Sequence, residues 1–189
     1  MHEDRDRWDA RYAAGDSRHD SGPAPLLVEW LPRWPAGRAL DVAAGLGRHA
    51  LILARSGWTT DAVDISAEGL RRLRHRARAA GVTVNAVLAD LDTFACRPGS
   101  YDLIVDTFFL SRTLISKFWQ WLRPGGIVVF ETHLATPGAD GRSRYALNPG
   151  EARELFSGWD LLAYAEGPEE EGARVIDTVR LVARRPPGA

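Results

Sequence analysis

The stretch Ala39-Leu-Asp-Val-Ala-Ala-Gly-Leu-Gly-Arg48 decides how the rest of the chain is interpreted. A short apolar run ends at Asp41, two glycines follow at Gly45 and Gly47, and an apolar helical pattern includes Ala50. This order predicts a strand, a tight turn and a helix, because glycine lets the backbone turn sharply and approach a ligand. The first amides of such a helix have no partner within it and face the ligand. The stretch therefore predicts a nucleotide-binding crevice.

The ligand class depends on how two features of this stretch are weighed. Residues Gly45 to Ala50 match the glycine pattern of dinucleotide-binding turns, so a site for NAD is allowed. However, a carboxylate at Asp41 would repel a pyrophosphate and would suit a cationic group. S-adenosylmethionine carries an ammonium and a sulfonium and no phosphate, so we favour it. A purely structural alternative stays open, in which Asp41 caps the turn that the two glycines form.

Composition limits the remaining possibilities. The chain has 189 residues, a formal net charge of −1 and one cysteine, Cys96. These values predict a single globular domain in a reducing cytoplasm, with no disulfide and no global charge that attracts nucleic acid or anionic membrane. We expect an N-terminal helical cap over residues 1–37 and a core over residues 38–189. No apolar run is long enough to cross a membrane, and the scattered histidines predict no metal site.

Acidic residues follow the next three predicted strands. Asp64 ends a strand over residues 58–64, at the spacing from the glycines where a carboxylate accepts hydrogen bonds from ribose hydroxyls. Its other interpretation is a helix cap, but Ser66 can cap that helix and would leave the Asp64 side chain spare. Asp90 follows a strand over residues 82–89, and Asp106 ends a strand over residues 101–106. These positions predict that all three acids face one crevice. Asp90 could equally be a turn residue.

Two predicted helices have alternative interpretations. Near the N-terminus, Trp8 and Tyr12 lie one helical turn apart, as a packing face or as an aromatic lid over the cofactor. The helix over residues 67–80 is rich in arginine, but Leu70, Leu73 and Ala77 gather on one face. This pattern indicates a core-packing helix with a solvated basic face, so we do not predict nucleic-acid binding.

The second half of the chain completes an α/β pattern. A strand over 127–132 follows a helix over 113–122, and two strand-like runs over 159–165 and 174–183 are joined by an acidic turn. So short a join makes the two strands antiparallel. The predicted fold is a Rossmann-like, doubly wound, seven-stranded sheet, mostly parallel, with the last strand antiparallel in a C-terminal hairpin.

One segment of the second half lacks periodicity, namely residues 133–147. It is interpreted as a functional lid or as a surface excursion, and it contains His133, Arg142, Arg144 and Tyr145. The sequence Asn148-Pro-Gly-Glu151 then predicts a helix start with Asn148 as its cap.

Taken together, these motifs resemble the class I S-adenosylmethionine-dependent methyltransferases over nearly the whole chain. The motifs that carry the resemblance are Asp41, Gly45, Gly47, Asp64, Asp90 and the stretch Pro124-Gly-Gly126. A narrower similarity links the chain to small bacterial tellurite-resistance methyltransferases. It rests on Trp8 to Tyr12, Leu40 to His49, Val63 to Ser66, Phe108 to Arg112 and Asn148 to Glu151.

The resemblance implies a set of contacts to S-adenosylmethionine. The methionine portion would lie at Asp41 and the glycine turn, the ribose at Asp64, and the adenine at Asp90 and Leu91. The full implied set is Trp8, Tyr12, Asp41, Ala43, Gly45, Gly47, Asp64, Ile65, Asp90, Leu91, Asp106 and Thr107. In one departure from the family, Ala43 and Ala44 stand where a glycine or another small residue is usual, which makes the turn less permissive.

Methyl transfer needs alignment of nucleophile, carbon and sulfur, and a general base only for some acceptors. Candidate bases are Asp106, His133 and Tyr145, and candidate acceptor contacts are Phe108, Arg112, Arg142 and Arg144. The family's nucleic-acid N-methyltransferase motif, Asn/Asp-Pro-Pro-Tyr/Phe, is absent. We therefore predict a small-molecule acceptor, such as a chalcogen oxyanion or another small metabolite. The alternatives are an NAD-dependent oxidoreductase and a non-catalytic protein that binds S-adenosylmethionine or activates a partner.

Overall fold

The computed structural model describes residues 2–16, 22–135, 145–171 and 174–188. The chain divides into two compact units, residues 1–97 and 98–189, and each is described by itself.

Among its described residues, the first unit contains four α-helices, a short 3₁₀ helix and three strands. In chain order these are α1 (His2–Ala13), α2 (Pro25–Trp30), the 3₁₀ helix Leu31–Arg33, β1 (Arg38–Val42), α3 (Arg48–Arg55), β2 (Thr59–Asp64), α4 (Ala67–Ala79) and β3 (Asn85–Leu88). The elements follow the sequence pattern. For example, Leu70, Leu73 and Ala77 of α4 are buried, as the helical periodicity predicts.

The three strands of this unit are parallel, with β2 between β1 and β3. In register, Asp41 lies opposite Ala62 and Val42 lies opposite Val63. Because parallel strands end at the same edge of a sheet, Asp41 and Asp64 both reach the carboxyl edge where the β1–α3 turn begins. Burial on both faces explains the apolar residues before and between these acids, namely Ala39 and Leu40 in β1 and Ala62 and Val63 in β2.

The second unit contains two helices and five strands among its described residues. These are β4 (Tyr101–Thr107), α5 (Arg112–Trp121), β5 (Leu122–Leu134), β6 (Ala146–Leu147), α6 (Glu151–Leu155), β7 (Asp160–Glu171) and β8 (Arg174–Arg184). The strand order is β4-β5-β8-β7, and β6 pairs with β5. Strands β4 and β6 run parallel to β5, whereas β8 runs antiparallel to both β5 and β7. The predicted C-terminal hairpin is therefore confirmed.

Several boundaries differ from those predicted. The acidic residues Glu169 and Glu171 belong to β7, so the predicted acidic turn is wrong: cross-strand pairing with β8 extends the strand through them. Part of the segment predicted as irregular is also strand, since His133 lies in the last residues of β5 and pairs with Ala146 of β6.

The helix start predicted at Asn148 is wrong as well. Helix α6 begins at Glu151, after Gly150 in a left-handed conformation, and no side chain caps it. Instead the Glu151 amide donates to the Asn148 carbonyl at 3.0 Å, which closes a turn before the helix. The Glu151 carboxylate accepts from the Asn148 amide at 3.0 Å. The predicted division into a cap over residues 1–37 and a single core stays a prediction.

Candidate functional site

The turn between β1 and α3 has an unusual concentration of left-handed backbone. Ala43 has φ +51°, Gly45 +53° and Gly47 +80°. The Ala44 amide donates to the Val63 carbonyl at 3.0 Å, and the Gly47 amide donates to the Ala44 carbonyl at 2.8 Å. These bonds tie the turn to β2 and close it tightly. A left-handed conformation disfavours alanine, so the turn holds Ala43 under strain where the family usually has a more permissive residue.

Asp64 is built into this turn through both oxygens of its carboxylate. One oxygen accepts a hydrogen bond from the Gly45 amide at 2.7 Å, and the other accepts from the Ser66 amide at 2.7 Å. The prediction that Ser66 caps α4 is confirmed, because its hydroxyl accepts from the Gly69 amide at 3.0 Å. The inference that Asp64 is thereby spare is wrong, since it holds both the glycine turn and the start of α4.

The Asp41 side chain also makes its described contacts within the protein. Its carboxylate accepts from the Ala50 amide at 2.9 Å, and its other oxygen lies 3.7 Å from Nδ1 of His49. His49 is buried, and its Nε2 accepts a hydrogen bond from the Ala24 amide at 3.2 Å. An imidazole that accepts at Nε2 carries its proton on Nδ1, towards Asp41. Burial lowers the pKa of His49, which keeps the ring neutral in the folded protein.

Three carboxylates lie around the turn. Burial is the main cause of the raised pKa of Asp64, and the negative charges of Asp41 and Asp9 raise it further. Hydrogen bonds from the Ser66 and Gly45 amides oppose that rise. Beside these carboxylates a cationic group is favoured over an anion.

Positive charge also reaches the turn. Arg48 directly follows Gly47, and the charges of Arg48 and Arg11 act on Tyr12, which packs over the turn.

Helix α1 packs over the glycine turn and the start of α4. A methyl group added to Gly45 would lie 2.5 Å from the Tyr12 hydroxyl, so only glycine leaves room for this side chain. One oxygen of Asp9 accepts from the Ser66 hydroxyl and from the Glu68 amide. Trp8 stacks on Tyr12 with ring centroids 5.6 Å apart. The packing interpretation of α1 is thus confirmed, and its role as a lid stays a prediction.

The remaining predicted residues of the first unit surround the ends of β2 and β3. Ile65 is half-buried between Asp64 and the start of α4. The Asp90 side chain accepts from the Asp92 amide at 3.0 Å, so the turn interpretation of Asp90 is confirmed, while Leu91 is buried. Contacts of these residues with adenine stay predictions.

The predicted acceptor residues of the second unit lie at the ends of β4 and β5. Asp106 is fully buried and Thr107 is half-buried. Phe108 has φ +59°, which is strained for an aromatic residue, and its amide donates to the Glu131 carbonyl at 2.7 Å. This conformation places its ring against His133, with centroids 4.9 Å apart.

Arg112 has a structural partner. Its guanidinium forms a two-point ion pair with Glu151, at 2.6 and 3.1 Å, and joins the start of α5 to the start of α6. Tyr145 is exposed, directly before β6. Arg142 and Arg144, and most of the proposed lid over 133–147, lie outside the described residues. Within the described part of the chain there is no cluster that could hold a metal ion, and no helix long and apolar enough to cross a membrane.

Two residues of the site were missed in the sequence. His49 lies directly after the turn, at the start of the helix, and this position is the sequence signal that could have indicated its role. Asp9 was overlooked between Trp8 and Tyr12 because its partners on α4 are distant in sequence.

Comparison with known proteins agrees with this geometry. Residues 39–126 match a family model described as a methyltransferase domain. The chain is 29% identical over 118 residues to ubiquinone biosynthesis O-methyltransferase of Erwinia tasmaniensis, covering 57% of this chain and 49% of that protein. It is 30% identical over 121 residues to ribosomal RNA small subunit methyltransferase C of Alcanivorax borkumensis, covering 59% and 37%. The chain thus spans half or less of the length of these relatives.

Solved structures extend the likeness to the whole chain. A structure described for the conversion of a disulfide bond into a thioacetal group during echinomycin biosynthesis has a TM-score of 0.78 at 18% identity, covering 98% of this chain and 93% of that one. TehB from Haemophilus influenzae has a TM-score of 0.77 at 18% identity, covering 86% and 62%. The 1,6-didemethyltoxoflavin-N1-methyltransferase of Burkholderia thailandensis, solved with S-adenosylhomocysteine, has a TM-score of 0.73 at 18% identity, covering 96% and 87%.

These comparisons confirm the predicted fold class and the predicted resemblance. The chain has the Rossmann-like fold of the class I S-adenosylmethionine-dependent methyltransferases, with a mostly parallel sheet and an antiparallel C-terminal hairpin. Its matched segment begins at Ala39, in the strand that leads into the glycine turn.

Proposed function

We propose that this protein is an S-adenosylmethionine-dependent methyltransferase of the cytoplasm that acts on a small-molecule acceptor. The observation that carries the proposal is the glycine turn with its two carboxylates. Gly45 and Gly47 are packed against Tyr12 and Leu73 with no room for a side chain, and the carboxylates of Asp41 and Asp64 hold the turn from beside it. Such a turn suits a ligand that bears an ammonium and a sulfonium and no phosphate.

The residues of this chain would hold the donor by its separate parts. The half-buried edge of the glycine turn would receive the methionine portion, with Asp41 and Asp64 holding the turn in shape through the Ala50 and Gly45 amides. A carboxylate has about four acceptor positions, so Asp64 retains capacity for a ribose hydroxyl while it accepts two amides. Tyr12 would close over the turn and exclude water.

The bound donor supplies a methyl group already activated by its sulfonium. The chain then has to align the acceptor and, for a hydroxyl or ammonium acceptor, remove a proton. In the second unit we assign the acceptor contacts to Phe108 and His133, whose rings touch. His133 is the better base among the candidates, since Asp106 is fully buried and Tyr145 is exposed.

The acceptor is assigned to small molecules because the motif of the nucleic-acid N-methyltransferases is absent at the end of β4, where the sequence is Asp106-Thr-Phe-Phe109. Proteins bind single-stranded RNA by stacking its bases on aromatic side chains. Neither the carboxylates around the turn nor the basic face of α4 provides such an aromatic surface. The NAD-dependent and non-catalytic alternatives gain no support from the relatives.

The test is thermal unfolding with S-adenosylmethionine, S-adenosylhomocysteine and NAD in parallel. A ligand at 100 times its dissociation constant stabilises by about 2.7 kcal/mol, which is about 5–10 °C for a chain of this size. We expect a shift with both adenosyl compounds and none with NAD. Turnover with an acceptor should then release S-adenosylhomocysteine. A shift with NAD alone would overturn the proposal, and binding of the adenosyl compounds without turnover on any acceptor would favour the non-catalytic alternative.

A further inference from the structure

Two threonines of the second unit carry buried hydroxyl groups that make no hydrogen bond. Thr132 of β5 and Thr178 of β8 are both buried, and neither Oγ1 atom has a partner within the described part of the chain. A buried hydroxyl without a partner lowers stability, because it has given up its hydrogen bonds to water. Such groups are rare in native proteins, so each of the two needs a physical explanation.

The two threonine side chains point to opposite faces of the sheet. Successive residues of a strand alternate between the faces, so Thr132 points away from the face of its neighbour His133. In the antiparallel register of β5 and β8, His133 lies opposite Thr178. Directly opposite residues share a face, and Thr178 is therefore beside His133. The Thr132 face is the one on which Phe130 packs against Phe156 of α6.

The face of Thr178 is the face of the proposed acceptor contacts. The Phe108 ring lies against His133 with centroids 4.9 Å apart, so two flat rings adjoin the Thr178 position. Ile176 is half-buried two residues before Thr178 in β8 and points to the same face. Aromatic and apolar side chains bind a flat ring, and a single polar group among them fixes the orientation of that ring.

Strand β7, on the other side of Thr178, leaves this position open. The residue opposite Thr178 in β7 is Gly167, which has φ +134°. A methyl group built on Gly167 would have no atom within 4 Å. Strand β7 therefore places no side chain beside Thr178, in contrast to the imidazole that β5 places there.

From these positions we propose that Thr178 determines the specificity of the acceptor site, and that the acceptor is a small aromatic molecule with a hydroxyl group on its ring. The ring packs against Phe108 and His133, and its hydroxyl forms a hydrogen bond with Oγ1 of Thr178. Thr178 has no exposed surface, so binding moves the half-buried side chain of His133 or Ile176 aside. The assignment of this face to the methyl acceptor rests on the proposed function.

Calorimetric titration of the full chain with phenol tests the site, with toluene and cyclohexanol as comparators. Toluene keeps the aromatic ring without the hydroxyl, and cyclohexanol keeps the hydroxyl without the flat ring. We expect phenol to bind about fivefold more tightly than either, which is the value of one hydrogen bond or one aromatic contact. Equal binding of phenol and either comparator would overturn the proposal, and so would the absence of binding heat for phenol up to about 20 mM.

Thr178→Val removes the hydroxyl and keeps the shape of the side chain. It should weaken phenol binding about fivefold and leave toluene binding unchanged, because toluene has no group that bonds with the hydroxyl. Equal losses of phenol and toluene affinity would show a packing effect and contradict the proposed contact. Unchanged phenol affinity would contradict it too.

Thr132→Val is the matched control, because it removes a second buried hydroxyl without a partner, from the opposite face of the sheet. It should leave phenol binding unchanged, and a loss equal to that of Thr178→Val would overturn the proposal. Both variants should raise the melting temperature, since each removes a polar group that has no hydrogen bond. A lower melting temperature for Thr178→Val would show that its hydroxyl is already satisfied, which also overturns the proposal.

A titration in saturating S-adenosylhomocysteine separates this inference from the proposed function. Phenol should bind with unchanged affinity, whereas competition would place phenol at the donor site and contradict the assignment to Thr178. If S-adenosylhomocysteine does not bind while phenol distinguishes the two threonine variants, the proposed function fails and the aromatic site stands. If S-adenosylhomocysteine binds and phenol does not, the aromatic site fails and the proposed function stands.

Discussion

The carboxylate of Asp64 accepts a hydrogen bond from the backbone amide of Gly45 at 2.7 Å. This bond joins the end of β2 to the turn that follows β1, so the acid at the end of one strand fixes the conformation of the neighbouring ligand loop. The second carboxylate oxygen holds the Ser66 amide in the same way at 2.7 Å. A single buried side chain therefore shapes both the glycine turn and the start of α4.

Replacement of Asp64 should affect both the stability of the protein and its affinity for S-adenosylhomocysteine. Asp64→Ala leaves two buried amides without their acceptor, which we expect to cost about 2–4 kcal/mol in the free energy of unfolding and at least about tenfold in S-adenosylhomocysteine affinity. Asp64→Asn keeps one acceptor oxygen and should lose about half as much stability. Urea unfolding and calorimetry measure the two effects. Equal stability of wild type and Asp64→Ala would show that the Gly45 bond contributes nothing.

The glycine turn should respond differently to changes at its two alanines. Ala43 has φ +51°, so Ala43→Gly relieves left-handed strain and should raise the free energy of unfolding by up to about 1 kcal/mol. Ala44→Gly is the matched control: Ala44 is buried and does not have a positive φ, so its replacement should lower stability by about 1 kcal/mol. Urea unfolding distinguishes these signs, and a loss in Ala43→Gly would argue against strain at Ala43.

Gly47 is limited by contact as well as by its backbone angle. A methyl group there would lie 2.5 Å from Cγ of Leu73 in α4, at φ +80°. Gly47→Ala should therefore destabilise the protein by about 3 kcal/mol, from strain and overpacking together. Gly81 has φ +67° but no atom within 4 Å of such a methyl group, so Gly81→Ala should cost only about 1 kcal/mol. Similar losses in the two variants, measured by thermal unfolding, would remove the Leu73 contact from the explanation.

His49 should make stability depend on pH in a defined window. Its pKa is lowered in the folded protein by burial, so below about pH 6.5 the unfolded chain binds a proton that the folded chain does not. The free energy of unfolding should thus fall as the pH is lowered through this window, by at most about 1.4 kcal/mol per pH unit from this residue.

The measurement is urea unfolding between pH 7 and pH 5, compared between wild type and His49→Gln. A glutamine can still accept from the Ala24 amide but does not titrate, so the variant should lose this part of the pH dependence. Identical profiles for the two proteins would mean that His49 is not the titrating group.

Docking of α1 should depend on Asp9. Its carboxylate joins α1 to the Ser66 hydroxyl and the Glu68 amide of α4, so Asp9→Ala should increase amide hydrogen exchange throughout α1. Glu3 is exposed on the same helix, and Glu3→Ala is the control that should leave exchange in Tyr12 unchanged. If α1 is also the lid, Asp9→Ala should speed dissociation of S-adenosylhomocysteine.

Local sequence patterns determined most of the elements around the site. Helix α4 ends within one residue of its predicted bounds, because hydrophobic periodicity and the Ser66 cap act over a few neighbouring residues. The carboxylate of Asp41 before the glycine turn also indicated a cationic rather than a dinucleotide ligand. By contrast, the length of β5 depended on its pairing with β8, which lies far along the chain.

What the tertiary structure decided is which partner each polar side chain takes. Asp64 could cap α4 or bind Gly45, and only the parallel register of β1 and β2 brings that glycine amide within 2.7 Å. Nothing near His49 in the sequence predicts its bond with Ala24, and nothing near His133 predicts that Thr178 lies opposite it. Periodicity specifies the face of an element that is buried, but partners across elements are chosen by packing, which brings distant residues together at hydrogen-bond distance.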